Sequence, residues 1–219
     1  MSPSVTARLD AFTDAAFAFA VTLLVIGGSD AASTYEGLAA AVAEVPTFAI
    51  GFAIIAMFWF AHVRWRSLRG DGDWLSVLLS LLLIFLVLIY IQPLRAMARS
   101  LSSFLGGSGA PFVGDLGDLF VIYGAGFVAM SLATAALFAE ALRGAQLDRE
   151  YRAVARGELI IWMILATTGL VSIALACFET TETIAPAVYA TLAVTIGIFT
   201  ARYDWSGGKP PTPELDNFD

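Results

Sequence analysis

The stretch that decides the fold is RLDAFTDAAFAFAVTLLVI, Arg8 to Ile26. From Ala15 onward it carries no charge and is apolar enough for a membrane. Its first half holds Arg8, Asp10 and Asp14, and Asp14 stands about one turn inside the apolar run. A carboxylate is expensive in lipid. Asp14 therefore needs a partner or a task.

The rest of the chain has the same character. Of 219 residues, 58% are hydrophobic and only 14% are charged, with a mean hydropathy of +0.79. A soluble domain of this size carries about a quarter charged residues, so the composition is that of a polytopic membrane protein. One cysteine, Cys177, excludes a disulfide framework and a cysteine-based zinc site, and reads as an apolar packing residue. Lysine occurs once, at Lys209, against eleven arginines, and alanine is abundant. That bias suits a GC-rich bacterial genome. A signal peptide is not expected, because Asp14 interrupts the apolar region and further long apolar runs follow.

A membrane helix needs about 20 mostly apolar residues. Six segments qualify, at 11–28, 46–66, 74–98, 118–142, 157–177 and 183–203. With the N-terminus inside, the cytoplasmic side holds ten cations: Arg8, Arg64, Arg66, Arg69, Arg143, Arg149, Arg152, Arg156, Arg202 and Lys209. The outside holds two, Arg95 and Arg99. The positive-inside rule then favours six spans with both termini inside. Trp59, Trp65, Trp74, Tyr90, Tyr151, Tyr203 and Trp205 read as interfacial anchors. Residues 1–205 are expected to form a single transmembrane domain. The loop 102–115 is expected to be a flexible turn and the tail 206–219 to be disordered.

Motifs for chemistry are missing. There is no HExxH, Walker loop, dinucleotide fingerprint or CxxC. Gly106-Gly107-Ser108-Gly109 matches the G-x-S-G of intramembrane serine proteases, but the topology puts the lone histidine, His62, at the inner side and Ser108 outside. No catalytic residue, metal site, cofactor or nucleic-acid partner is expected. The TVGYG potassium filter is absent as well.

Plotted at about 100° per residue, Phe12, Phe19, Leu23 and Ile26 share one face of the first span, with Thr22 at its edge. Asp10, Asp14, Ala18, Val21 and Val25 share the opposite face. The Asp14 face is expected to turn into protein, towards Arg8 or His62. The apolar ladder suits either packing against lipid and protein, or the wall of a narrow pore that gates by dewetting.

The same stretch resembles the first-helix signature of the endosomal/lysosomal potassium channel family (transmembrane protein 175) and its bacterial six-helix relatives. That signature reads R-x-x-x-F-S-D, an apolar stretch, then T-L-L-V-L; Arg8, Phe12, Asp14, Thr22, Leu23, Leu24 and Val25 match it. Trp59 and His62, in FWFAH, match the family's W-x-x-H. The resemblance implies an all-α homotetramer whose four first helices surround a central pore. Its constriction would be Phe19, Leu23 and Ile26, with Thr22 as the hydroxyl that bears on cation preference. Arg8, Phe12, Thr13, Asp14, Trp59 and His62 would form the network that anchors the helix. Thr13 stands for the usual serine, and Phe19 for an isoleucine or leucine. The function implied is a channel permeable to potassium or other monovalent cations, with the bilayer and its own copies as partners. The alternatives are a secondary cation or proton-coupled transporter and a non-conducting scaffold.

Overall fold

The computed structural model describes residues 3–26, 34–70, 72–104, 116–143, 148–178 and 187–207. Every regular element among them is a helix. In chain order these are α1 (Pro3–Ile26), α2 (Tyr35–Ala43), α3 (Val45–Arg69), α4 (Trp74–Phe104), α5 (Leu116–Arg143), α6 (Arg149–Ala176) and α7 (Ala187–Arg202). Six of them overlap the six apolar segments of the sequence within the described residues. The additional helix, α2, is capped by Thr34, whose hydroxyl accepts from the Gly37 N–H at 3.1 Å. Glu44 ends α2 and begins α3, with Pro46 in the first turn of α3, where its missing N–H costs nothing. The loop 105–115, with Ser108, and the tail from 208 lie outside the described residues.

Four of the helices, α3, α4, α5 and α6, are long and apolar enough to cross a bilayer. α1 has the length, about 36 Å at 1.5 Å per residue, but Arg8, Asp10 and Asp14 crowd its first half. α7 is apolar and shorter, 16 residues. α6 begins eight residues before the apolar run, because Arg149–Arg156 continues the helix as a polar extension of about two turns.

α5 sits at the centre. Leu137, Phe138 and Ala141 are fully buried on it, and Phe127 and Met130 nearly so. One face meets α4, where Tyr90 and Tyr123 pack with ring centroids 5.5 Å apart. Another meets α6 by close backbone approach: a Cβ at Gly124 would lie 2.6 Å from the Ile173 side chain, and one at Gly169 2.6 Å from Val128. Small residues at such crossings allow the tight packing that drives helix association in lipid. Trp65 and Tyr90, expected as interfacial anchors, are instead core residues. Trp65 has a buried hydrogen-bond acceptor, and Tyr90 fills the space between α4 and α5. Trp74 and Tyr151 are exposed, as the anchor reading requires. Tyr203 and Trp205 fold back onto α6, where the Tyr203 hydroxyl donates to the Ala153 carbonyl at 2.9 Å.

The α3–α4 turn is set by polar caps. Gly70 takes φ 62°, closing α3 in a conformation that favours glycine. The Asp73 carboxylate accepts from the N–H groups of Leu75 at 2.9 Å and Ser76 at 3.1 Å. The Ser76 N–H is the main reason its pKa lies below the ordinary value, with Leu75 and Arg69 adding to it. A carboxyl lowered on folding stabilises the fold when ionised, so its contribution is present above the unfolded pKa and lost as pH falls through the folded one. Asp73→Asn is expected to lower the melting temperature at neutral pH, and the difference should vanish in melts run well below the ordinary carboxylate range. Gly169→Val is expected to cost about 1–3 kcal/mol through overpacking of the α5–α6 crossing, measurable by denaturant or thermal melts in detergent, whereas Gly197→Ala, which meets nothing within 4 Å, should not.

Candidate functional site: the first helix and its anchors

α1 lies against α3 and α4. The face it buries there is Thr13, Phe17, Ala20 and Leu24, a run with i, i+4, i+7 and i+11 spacing. Thr13 is 0% exposed and its hydroxyl donates back to the Leu9 carbonyl at 2.8 Å, so the buried polar atom is satisfied within the helix. The expectation that the Asp14 face turns inward is therefore corrected. The buried direction lies between the two faces of the sequence plot, and Asp14 stands at its exposed edge. Phe12, Phe19 and Thr22 point away from the chain's own core, with Phe19 55% exposed. Leu23 is half-buried and touches the core. Of Ile26 only the backbone is described.

Three side chains reach α1 from its neighbours. The Trp59 indole N–H on α3 donates to Asp14 Oδ1 at 2.8 Å. One turn earlier on α1 and two turns later on α3, Arg66 Nε donates to Asp10 Oδ1, also at 2.8 Å. At the far end, Arg95 on α4 sends Nη2 to the carbonyls of Leu23 and Leu24. Those carbonyls belong to the last turn of α1, where helix geometry leaves them without intrahelical partners and where the helix dipole favours a cation.

The partners expected for Asp14 were Arg8 and His62, and neither serves. Arg8 is exposed and makes no polar contact among the described residues. His62 is buried 3.0 Å from Ser80 Oγ, joining α3 to α4. Phe12, placed in the anchoring network by resemblance, is exposed on the opposite side of α1. The helical repeat supplies the reason: Trp59 and Arg66 are seven residues apart and share one face of α3, while His62 is turned towards α4.

A second polar cluster escapes a reading of the sequence. Glu140 on α5 is 4% exposed and accepts from Arg69 Nε at 2.6 Å, Ser76 Oγ at 3.0 Å and Trp65 Nε1 at 3.3 Å. The available signal is its isolation: in AALFAEALR it is the one acid in an apolar run, which marks a partnered residue in a membrane helix. Arg95 counts in the sequence only as an external charge, although it too lies inside a span.

Residues 8–91 match the family model of the endosomal/lysosomal potassium channel TMEM175. A potassium channel of Marivirga tractuosa is 40% identical over 100 residues, which are 46% of this chain and 40% of that protein, so the match spans well under half of the relative's length. The fold is similar to that of the potassium channel MtTMEM175, in a structure of a threonine-to-alanine variant bound to a nanobody fusion protein, with a TM-score of 0.78 and 26% identity over 89% of this chain and 91% of the other. A lysosomal potassium-selective channel TMEM175 homolog from Chamaesiphon minutus shares the fold at a TM-score of 0.62 and 21% identity, over 92% of this chain and 99% of the other. The chain is thus a helical membrane protein similar to the TMEM175 potassium channels, in sequence through its first three long helices and in fold along most of its length. These relatives are channels, not enzymes.

Because Trp59 is the one hydrogen-bond donor on Asp14 among the described residues, Trp59→Phe is expected to destabilise the fold by about 1.5–3 kcal/mol, the scale of a hydrogen bond to a charged group. His62→Phe, which does not touch the Asp14 carboxylate, is expected to leave the α1 contacts in place. Hydrogen exchange of the α1 amides separates the two, rising in the first variant only.

Proposed function

We propose that this chain forms a potassium-permeable cation channel in which α1 lines the pore. The observation that carries the reading is the division of α1. Thr13, Phe17, Ala20 and Leu24 are spent on the chain's own core, while Phe12, Phe19 and Thr22 make no such contact. A helix whose carboxylates are tied to α3, and whose other face is unclaimed, is placed to meet an axis shared with other copies. In this reading the protein is a homotetramer with six spans per chain and both termini inside, in a bacterial inner membrane. α1 and α7 complete the six, α1 shielded by neighbouring copies. The likeness to MtTMEM175, and the arginine bias towards one side of the sequence, support it.

Phe19 supplies the apolar constriction, with Leu23 and Ile26 beyond it on the same face. An apolar ring holds water out and so raises the barrier to an ion without a charged gate. Leu23, half-packed on the core, has less freedom than Phe19. Thr22 donates its hydroxyl hydrogen to the Ala18 carbonyl at 2.9 Å. That bond turns the hydroxyl oxygen's lone pairs outward, which suits brief contact with a partly hydrated cation. No carbonyl filter is needed for this construction. Arg8, on the same side as Phe19 and one turn before Phe12, stands at the inner mouth.

Purified protein in liposomes is expected to pass potassium, and Phe19→Ala to raise the flux by about tenfold, the effect of removing about 1.4 kcal/mol of barrier. Thr22→Val is expected to lower the potassium-to-sodium permeability ratio with the melting temperature unchanged. Absence of flux from both wild type and Phe19→Ala would reject the pore.

A further inference from the structure

Three arginines of α6 are left unused by the fold. Arg149, Arg152 and Arg156 lie on the polar extension that precedes its apolar run. Arg149 and Arg156 are exposed and Arg152 is half-buried. None of the three forms an ion pair with a described residue, although Asp148 and Glu150 are neighbours in sequence. Glu158, the next acid along the helix, falls about 180° from Arg149 at 100° per residue. It is paired with Arg64 of α3 at 2.8 Å.

The spacing of these arginines, i, i+3 and i+7, places them on one stripe of the helix. Met163, Thr167 and Leu170 continue that stripe along the apolar part of α6, and at about 100° per residue all six fall within about 60° of one another. Met163, Thr167 and Leu170 are exposed, so this face is not the one packed on α3, α5 or α7. The Thr167 hydroxyl donates to the Met163 carbonyl at 2.8 Å and needs no partner outside the helix. One continuous face is thus apolar within the span and cationic beyond it.

The dimensions are those of a lipid leaflet. Arg149 stands about 10 Å along the axis from Arg156, at 1.5 Å per residue. The polar layer outside the hydrocarbon core is about 5–8 Å thick on each side, so the arginine ladder begins at its floor and passes through it. Acyl chains lying against Met163 and Leu170 carry their own phosphates to the level of the arginines. A guanidinium matches the oxygens of a phosphate group. A protein partner would have to bring an apolar ridge and several carboxylates in register, whereas a bilayer presents that sequence of layers by its own geometry.

We propose that this face of α6 binds anionic phospholipid of the adjoining leaflet, the cytoplasmic one in the orientation proposed above. Arg152 and Arg156 meet the headgroup phosphates, and Arg149 adds charge at the outer edge.

The test uses the full-length protein, delipidated in a neutral detergent, with thermal unfolding followed by tryptophan fluorescence at constant ionic strength. Short-chain phosphatidylglycerol and, separately, short-chain phosphatidylcholine are titrated into the micelles. Phosphatidylglycerol is expected to raise the melting temperature saturably, and phosphatidylcholine to leave it unchanged. Arg149→Gln, Arg152→Gln and Arg156→Gln together should weaken the apparent affinity for phosphatidylglycerol by more than about tenfold, at about fivefold for each arginine near the surface. Removing as many cations elsewhere, by Arg143→Gln, Arg202→Gln and Lys209→Gln, should weaken it by less than about threefold, because charge that is off the stripe acts at longer range. If the triple arginine variant does not fold, Arg152→Gln alone decides, with an expected loss of about fivefold. An equal response to the two lipids, an undiminished response in the deciding variant, or the same loss in the control variant overturns the proposal. Should the arginine variant keep its lipid response and change its oligomeric state, the face belongs to a second copy and the proposal fails. The readout needs no ion flux, so it stands or falls apart from the pore assignment.

Discussion

A polar side chain carried into a bilayer must find a partner inside the protein, because lipid offers none. In this chain one stretch of helix meets most of that demand. From Trp59 to Arg69, α3 sends a polar group to each of four neighbours. Trp59 and Arg66 take the two carboxylates of α1, and His62 meets Ser80 on α4. Trp65 and Arg69 converge on Glu140 of α5, and Arg64 pairs with Glu158 of α6 at 2.8 Å. Residues 59 and 66 lie two turns apart on one face, and 65 and 69 one turn apart on another. A single helix can therefore serve several partners at once.

This arrangement sets the rotation of α1. Asp10 and Asp14 are tied to α3, while Thr13, Phe17, Ala20 and Leu24 are buried where α1 meets α3 and α4. At the other end Arg95 ties the last carbonyls to α4. A helix held at both ends by directional bonds has little freedom to roll, so its outer face is presented in a defined direction. In the channel proposed above that property would matter, because a roll of a few tens of degrees would exchange the residues facing the axis.

The cost of the same design is a set of buried charges that cannot be removed singly. Glu140 accepts from three donors, and deleting Arg69 would leave a buried carboxylate without this counter-charge. Arg95 differs, since its Nε is left without a partner among the described residues. The two buried ions thus stand differently: one closes a network inside the fold, and the other caps the end of α1.

Much of the architecture is legible in the sequence. Uninterrupted apolar runs define membrane helices with little ambiguity, and five of the six expected segments begin or end within a few residues of α3, α4, α5, α6 and α7. α2 escapes because YEGLAAAVA is too short to give a span signal and leans on its Thr34 cap. The signature of Arg8, Phe12, Asp14, Trp59 and His62 points to the right relatives, and its Trp59 does bond Asp14, whereas the partners expected from the helical plot, Arg8 and His62, do not. Trp65 and Tyr90 read as interfacial anchors because an aromatic near a span end looks the same in sequence whether it faces headgroups or a neighbouring helix.

From the sequence alone come the helical class, the apolar spans, the need for Asp14 to be partnered, and the shared face of Phe19 and Leu23. These follow from composition and from the fixed angle between successive residues of a helix. Only the tertiary structure decided which direction that face looks, that Trp59 rather than His62 or Arg8 holds Asp14, and that Arg95 and Glu140 are structural charges. Periodicity gives the angles of side chains relative to one another. The absolute rotation of a helix, and the partner each polar group meets, depend on which helices stand beside it, and that is settled by packing across residues far apart in the chain.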